Sequence, residues 1–115
     1  MKGILEEKSF RFAIRIVNLY KYLVNEKKEF VMSKQLLRSG TSIGANVSEA
    51  QFAQTKADFG TKMHIALKEA NETKYWLSLL EETSFITLEE SGSMISDCMD
   101  LINMLVSTCK KTLPR

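Results

Sequence analysis

The sequence predicts an all-α protein: an antiparallel up-down-up-down four-helix bundle, formed by a single domain spanning residues 1–115. Three observations support this prediction. Apolar residues recur at helical spacing in four segments, and no segment shows the sustained alternation of a strand. The single proline, Pro114, lies at the end of the chain, so that long helices can run uninterrupted. Segments of about 20 to 27 residues with short connections favour antiparallel neighbours.

The first helix is predicted from about Leu5 to Asn25, and it carries two neighbouring apolar strips. One strip consists of Leu5, Phe12, Ile16, Leu19 and Leu23, and the other of Phe10, Ala13, Val17 and Val24. A bundle helix that faces two neighbours needs about three apolar positions in seven. The excess indicates either a second buried surface, formed by self-association, or a wide core.

The second helix is predicted from about Ser33, as its N-cap, to about Phe52, and it carries a ladder of polar side chains. Steps of three and four residues place the ladder within about 80° on the helix, beside an apolar stripe. Its members are Gln35, Arg38, Ser42, Asn46 and Glu49. Such groups are costly to bury without partners, so the ladder indicates a specified contact with another helix or another subunit.

Two residues of this polar ladder are predicted to have specific hydrogen-bonding or ion-pair partners. Arg38 is predicted to pair with Glu49, Glu69 or Glu72, and Asn46 to hydrogen-bond to another helix. Together with the ladder, Glu69 and Glu72 form a predicted polar network or interface.

A line of small residues also follows the second helix. Gly40, Gly44 and Ser48 are spaced by four residues, which lets another helix approach closely. Each glycine within a helix destabilises it by up to about 1 kcal/mol relative to alanine, so we expect compensating close packing against another helix.

The third and fourth helices begin at recognisable caps. Thr55 and Asp58 resemble a capping box, and Thr87 and Glu90 form a regular one. The fourth helix again has a wide apolar arc, from Leu88 to Cys109, with the same two explanations as on the first helix.

Charge is unevenly distributed although the net charge is only +2. Residues 1–38 carry a balance of +5, and residues 39–115 a balance of −3. The difference is either scatter over solvated faces or the basis of contact between unlike surfaces. Lys8, Arg11 and Arg15 form a basic strip on the first helix, which is either a solvated face or a weak phosphate-binding surface that ring symmetry would multiply.

Several classes of function lack support in the sequence. One histidine, His64, gives no nucleophile-base pair and no metal-ligand spacing, so we expect no enzyme activity, metal, cofactor or small-molecule substrate. Charges interrupt the first apolar run, which excludes a membrane span, and no signal peptide is recognised. Cys98 and Cys109 are about 16 Å apart on one helix, too far for a mutual disulfide. We expect reduced cysteines and a cytoplasmic protein.

The chain resembles the bacterial four-helix bundle proteins encoded in the intervening sequences of 23S rRNA genes, also labelled S23 ribosomal proteins. The resemblance covers nearly the whole chain. It is carried by residues 35–39, residues 42–46, Glu49, Phe59, residues 65–67, Glu69 and Glu72. It implies a homopentameric ring but supplies no activity. A more distant similarity to the accessory protein of diversity-generating retroelements implies nucleic acid and a nucleic-acid-processing protein, a reverse transcriptase, as partners.

Two hypotheses of function follow. The first is a non-enzymatic oligomeric scaffold that binds RNA or DNA through backbone charge contacts at Lys8, Arg11 and Arg15. The second is an oligomeric protein-interaction module without nucleic-acid binding.

Overall fold

The computed structural model describes residues 3–112, which form four α-helices and no strand. The helices are α1 (Ile4–Asn25), α2 (Met32–Ala50), α3 (Lys56–Glu82) and α4 (Leu88–Thr112). The predicted all-α class with four helices is confirmed, and the predicted starts of the four helices and the predicted ends of α1 and α2 agree with the structure to within two residues.

The helices surround one apolar core, to which all four contribute. Helix α1 packs on α2, α2 on α3, and α3 on α4, whereas the seam between α4 and α1 is the least extensive. Fully buried side chains at its centre are Phe12, Ile16, Leu23, Leu36, Ile43, Leu77, Leu101 and Leu105. Both cysteines are buried and free, and burial raises the pKa of the Cys98 thiol to about 12. Both cysteines thus belong to the buried apolar arc of α4, as the sequence predicts.

Side chains cap the start of α3 and α4 where the sequence predicts it. The Thr55 hydroxyl accepts a hydrogen bond from the Asp58 backbone N–H at 3.0 Å. Thr87 and Glu90 form the full capping box, because each accepts from the backbone N–H of the other, at 3.1 and 2.9 Å. These hydrogen bonds satisfy backbone N–H groups of the first turn, which have no partner within the helix.

The start of α2 differs from the prediction. Ser33 is not the N-cap: the helix begins at Met32, and the carboxylate of Glu29 caps it instead. Glu29 accepts hydrogen bonds from the backbone N–H groups of Val31, Met32 and Ser33 at 3.3, 3.1 and 2.7 Å. Ser33 donates back to the Glu29 carbonyl at 2.7 Å. A carboxylate satisfies three donors at once and interacts favourably with the helix dipole, which explains why it displaces the serine.

Replacing Glu29 by glutamine should lower the free energy of unfolding by about 1–2 kcal/mol at pH 7. Burial alone would raise the pKa of Glu29, but hydrogen bonds from Ser33, Met32 and Val31 more than offset it and hold the pKa below its ordinary 4.5. The carboxylate therefore stabilises the fold above that value, and this contribution is lost as pH falls through the lowered pKa.

The measurement is urea unfolding of both proteins between pH 3 and pH 7, at one protein concentration. The difference between wild type and Glu29→Gln should be full at neutral pH and should shrink below pH 4.5. Glu26→Gln is the matched control, because Glu26 is exposed and its side chain makes no hydrogen bond within residues 3–112. A pH-independent difference would show that the cap does not act through its charge.

Two glycines of α2 lie where α1 comes closest. A Cβ on Gly40 would lie 2.7 Å from the Ile16 side chain, and one on Gly44 would lie 3.2 Å from the Ser9 carbonyl oxygen. The predicted close approach of a second helix is confirmed at these two positions, and the helix is α1.

Candidate functional site

Arg38 joins α2 to α3 through two carboxylates. Its guanidinium lies 3.1 Å from Glu69 Oε1 through Nη1 and contacts Glu72 Oε2 through Nη2. The Glu69 side chain is only 14% exposed and that of Glu72 30%, whereas Arg38 is half exposed. These two glutamates are two of the three acceptors predicted for Arg38. The cluster carries two negative charges for one positive charge.

Further hydrogen bonds extend this cluster along the α2–α3 seam. Trp76 donates its indole N–H to Glu72 Oε2 at 2.9 Å, and Arg38 Nε donates to Gln35 Oε1 at 3.4 Å. Beneath them Thr73 donates to the hydroxyl of buried Ser39 at 3.0 Å. Sequence reasoning missed the Trp76 bond, although the four-residue spacing from Glu72 is a visible signal for it.

The other half of the polar ladder makes local contacts. Asn46 Nδ2 donates to the carbonyl and the hydroxyl of Ser42, at 2.9 and 3.1 Å, so the predicted bond to another helix is wrong. An asparagine reaches the carbonyl four residues earlier without leaving its own helix. Glu49 accepts from Lys62 at 2.7 Å instead of pairing with Arg38, which lies eleven residues, or about 16 Å, along the same helix. The predicted polar ladder is therefore divided into two separate groups of contacts, one around Arg38 and one that contains Asn46 and Glu49.

Lys8, Arg11 and Arg15 lie in one groove, between α1 and α4. The groove encloses about 460 Å³, and buried Phe12 and Leu101 line it. The structure thus brings the three predicted cationic residues together at the most open seam of the bundle.

Carboxylates neutralise this groove. Arg11 pairs with exposed Glu7 at 3.1 Å, and Arg15 bridges to Asp97 at 2.5 Å. Arg15 also donates to Ser93 at 2.9 Å, whereas Lys8 makes no hydrogen bond or ion pair within residues 3–112. With Asp100, the groove holds three carboxylates for three cations. Glu7 was detectable from its spacing to Arg11, but the residues of α4 were not, because that contact spans 82 positions.

An apolar strip on the outer side of α1 remains exposed. Phe10 is 61% exposed and Ile14 48%. On α4, by contrast, Ile95, Met99 and Val106 pack against the core. The wide arc of α4 is thus mostly used within the chain. On α1, Phe10 is the exposed member of the predicted second strip, and Ile14, which was in neither predicted strip, is exposed beside it.

The described chain shows neither a metal centre nor a membrane span. Residues 3–112 contain no group of three or more histidine, cysteine, aspartate or glutamate side chains that could hold a metal ion. His64 Nδ1 lies 2.7 Å from the Gly60 carbonyl of its own helix. None of the four helices is both long and apolar enough to cross a membrane.

The fold places this chain among the all-α proteins of four helices, and in this chain a charged, hydrogen-bonded cluster ties α2 to α3. Residues 3–107 match the family model described as 23S rRNA-intervening sequence protein, and the chain belongs to that family. This confirms the family predicted from the sequence. A search of curated proteins finds no match.

A solved structure from the same family shows the same fold. It is a protein of unknown function from the S23 ribosomal protein family of Bacteroides thetaiotaomicron VPI-5482. The two sequences are 60% identical, the alignment covers 93% of this chain and 99% of the other, and the TM-score is 0.92.

Proposed function

We propose that this protein is a non-enzymatic scaffold, an up-down-up-down bundle that assembles into a homopentameric ring and works through protein–protein contacts in the cytoplasm. One observation carries the proposal: two large apolar side chains of α1 stay exposed in the single chain, Phe10 at 61% and Ile14 at 48%. Burying such side chains against another copy removes apolar surface from water. The count of five rests on the family resemblance, and the reduced, buried cysteines support the compartment.

The wild-type chain should sediment as a closed oligomer of five copies at micromolar concentration. Sedimentation equilibrium at several loading concentrations measures the mass without assuming a shape. A single species of constant mass over that range would support a closed ring, whereas mass that rises without limit would indicate an open chain of subunits. A monomer at every concentration would refute the scaffold.

The second candidate function is binding of RNA or DNA by the same ring, alone or with a nucleic-acid-processing protein. The alignment of Lys8, Arg11 and Arg15 in one groove favours it, and repetition around a ring would add avidity. The carboxylates of Glu7 and Asp97 disfavour it, because a phosphate would compete with both. The neutral groove therefore ranks protein contact above nucleic-acid contact.

Nucleic-acid binding, if it occurs, should be sequence-tolerant and should weaken steeply between about 50 and 200 mM salt. Fluorescence anisotropy with single-stranded RNA, single-stranded DNA and duplex DNA measures it. Changing Lys8, Arg11 and Arg15 together to glutamate should abolish the signal while helical circular dichroism is retained. Changing the exposed lysines Lys28, Lys56 and Lys68 to glutamate alters the net charge equally and is the control. No binding at the lower salt would leave the protein-interaction scaffold alone.

A further inference from the structure

One side of the bundle, formed by α1 and α2, is free of charge over its central part. We call it the α1–α2 face: Phe10, Ile14 and Val17 of α1, with Leu37, Thr41 and Ala45 of α2. Gly40 lies against Ile16, and Gly44 lies against Ser9, so Ile14 and Thr41 are at the same level of the bundle. Phe10, Ile14 and Ala45 are exposed, whereas Val17, Leu37 and Thr41 are half-buried beside the seam.

Opposite charges lie at the two ends of the α1–α2 face. Lys21 and Lys34 lie at one end, and both are exposed without a hydrogen bond or ion pair within residues 3–112. Glu6 and Glu7 lie at the other end, about 21 Å from Lys21 along α1. Glu6 accepts from the Gly3 backbone N–H, and Glu7 pairs with Arg11, but neither is buried.

The outward side of α4 carries the reverse order of charge at its two ends, with exposed Ser96, Asp100 and Asn103 between them. Glu89 lies in its first turn, and Lys110 and Lys111 lie in its last turn. The pair between Arg15 and Asp97 sets the levels of α1 and α4. Glu89 is therefore level with the Lys21 end of the face, whereas Lys110 and Lys111 lie about 6 to 9 Å, one to two turns, beyond the level of Glu6 and Glu7.

We propose that the α1–α2 face of one copy packs against the outward side of α4 of a second copy. The inference rests on the proposed self-assembly and names the surfaces that carry it. A rotation about an axis parallel to the helices leaves each residue at the same height along the bundle in both copies. Lys21 and Lys34 then meet Glu89, whereas Glu6 and Glu7 are offset by one to two turns from Lys110 and Lys111, which long lysine side chains would have to span. The two surfaces differ, so the contact is head-to-tail and closes into a ring when the rotation permits.

The first test reverses the charges and then restores the match. Lys21→Glu with Lys34→Glu should weaken self-association at least about tenfold, because like charges would then face one another. Adding Glu89→Lys should recover most of the loss. Lys56→Glu with Lys68→Glu changes the net charge equally on α3 and should leave the mass unchanged. Rescue by Glu7→Lys instead of Glu89→Lys would indicate a two-fold, antiparallel contact and would overturn the proposal.

The second test addresses the apolar centre of the face. Ile14→Asp should also weaken self-association at least about tenfold, since it places a charge in the middle of the contact. Ile65→Asp on α3, 36% exposed in the single chain, is the matched control. Sedimentation gives the mass, and circular dichroism confirms that each variant is folded.

The outcomes separate this inference from the proposed function. If the wild type is an oligomer and neither Ile14→Asp nor Lys21→Glu with Lys34→Glu changes its assembly, the assigned surfaces are overturned and the proposed scaffold function stands. A wild-type monomer would overturn both.

Discussion

Replacing Gly40 by alanine should lower the free energy of unfolding by about 1–3 kcal/mol, a cost typical of overpacking. The new Cβ would lie 2.7, 2.8 and 2.9 Å from Cγ1, Cγ2 and Cδ1 of Ile16. Ile16 is fully buried, and a β-branched side chain has few alternative rotamers, so the strain must spread to the α1–α2 spacing. Alanine also favours the helix by up to about 1 kcal/mol, which the steric cost must exceed.

Gly92→Ala is the matched control for Gly40→Ala. Gly92 also lies within a helix, but no atom comes within 4 Å of its added Cβ. That variant should therefore gain up to about 1 kcal/mol from helix propensity alone. Urea unfolding followed by circular dichroism, at one fixed protein concentration, compares the two. Equal stabilisation by both substitutions would show that α1 and α2 can separate freely at Gly40.

A double substitution identifies Ile16 as the residue responsible. Ile16→Ala alone should cost about 2–5 kcal/mol through the cavity it leaves. Combined with Gly40→Ala, which fills part of that space, the total should be smaller than the sum of the single costs by about 1 kcal/mol or more. Strict additivity would place the strain of Gly40→Ala at another neighbour.

Helix positions were predictable because they depend on local pattern. Apolar spacing and the Thr87–Glu90 box locate α1 and the start of α4 to within a residue. The start of α2 was not predictable in the same way. Its cap is Glu29, a residue type that caps less often than serine, and the bonds to Val31, Met32 and Ser33 form only after the turn has folded back.

Contacts between helices were only partly predictable. Helical spacing correctly predicts that Lys8, Arg11 and Arg15 lie on one side of α1, but the sequence does not show which helix faces that side. Asp97 and Asp100 arrive there through the pairing of α1 with α4, and they turn a basic strip into a neutral groove. A pattern on one helix fixes its face, whereas the electrostatics depend on the facing helix as well.

The fate of the extra apolar residues on α1 and α4 also depends on the neighbouring helices, which the sequence of one helix does not reveal. On α4 the wide arc is absorbed by packing of Ile95, Met99 and Val106 against the core. On α1 the predicted second strip is half-buried except at Phe10, and Ile14, outside both predicted strips, is also exposed. One pattern thus had two different outcomes, which the position of the neighbouring helices decides.

Arg38→Ala should lower the free energy of unfolding by about 1–3 kcal/mol, the second large effect expected of a single change. Without the guanidinium, Glu69 and Glu72 lose their cation while largely withdrawn from water. Removing one partner of a fully buried pair costs about 3–5 kcal/mol, and an exposed pair less than about 1 kcal/mol. Arg38 is 49% exposed and Glu69 14%, which places the cost between these limits.

Arg11→Ala is the control, because the substitution is the same and the Arg11–Glu7 pair is exposed on both sides. It should cost at most about 0.5 kcal/mol. Arg38→Lys should recover only part of the loss, because an ammonium group does not reproduce the two-pronged contact. Unfolding can be followed by the fluorescence of Trp76, the single tryptophan, whose indole N–H binds Glu72. Equal stability of Arg38→Ala and Arg11→Ala would show that the α2–α3 cluster behaves as a solvated surface pair.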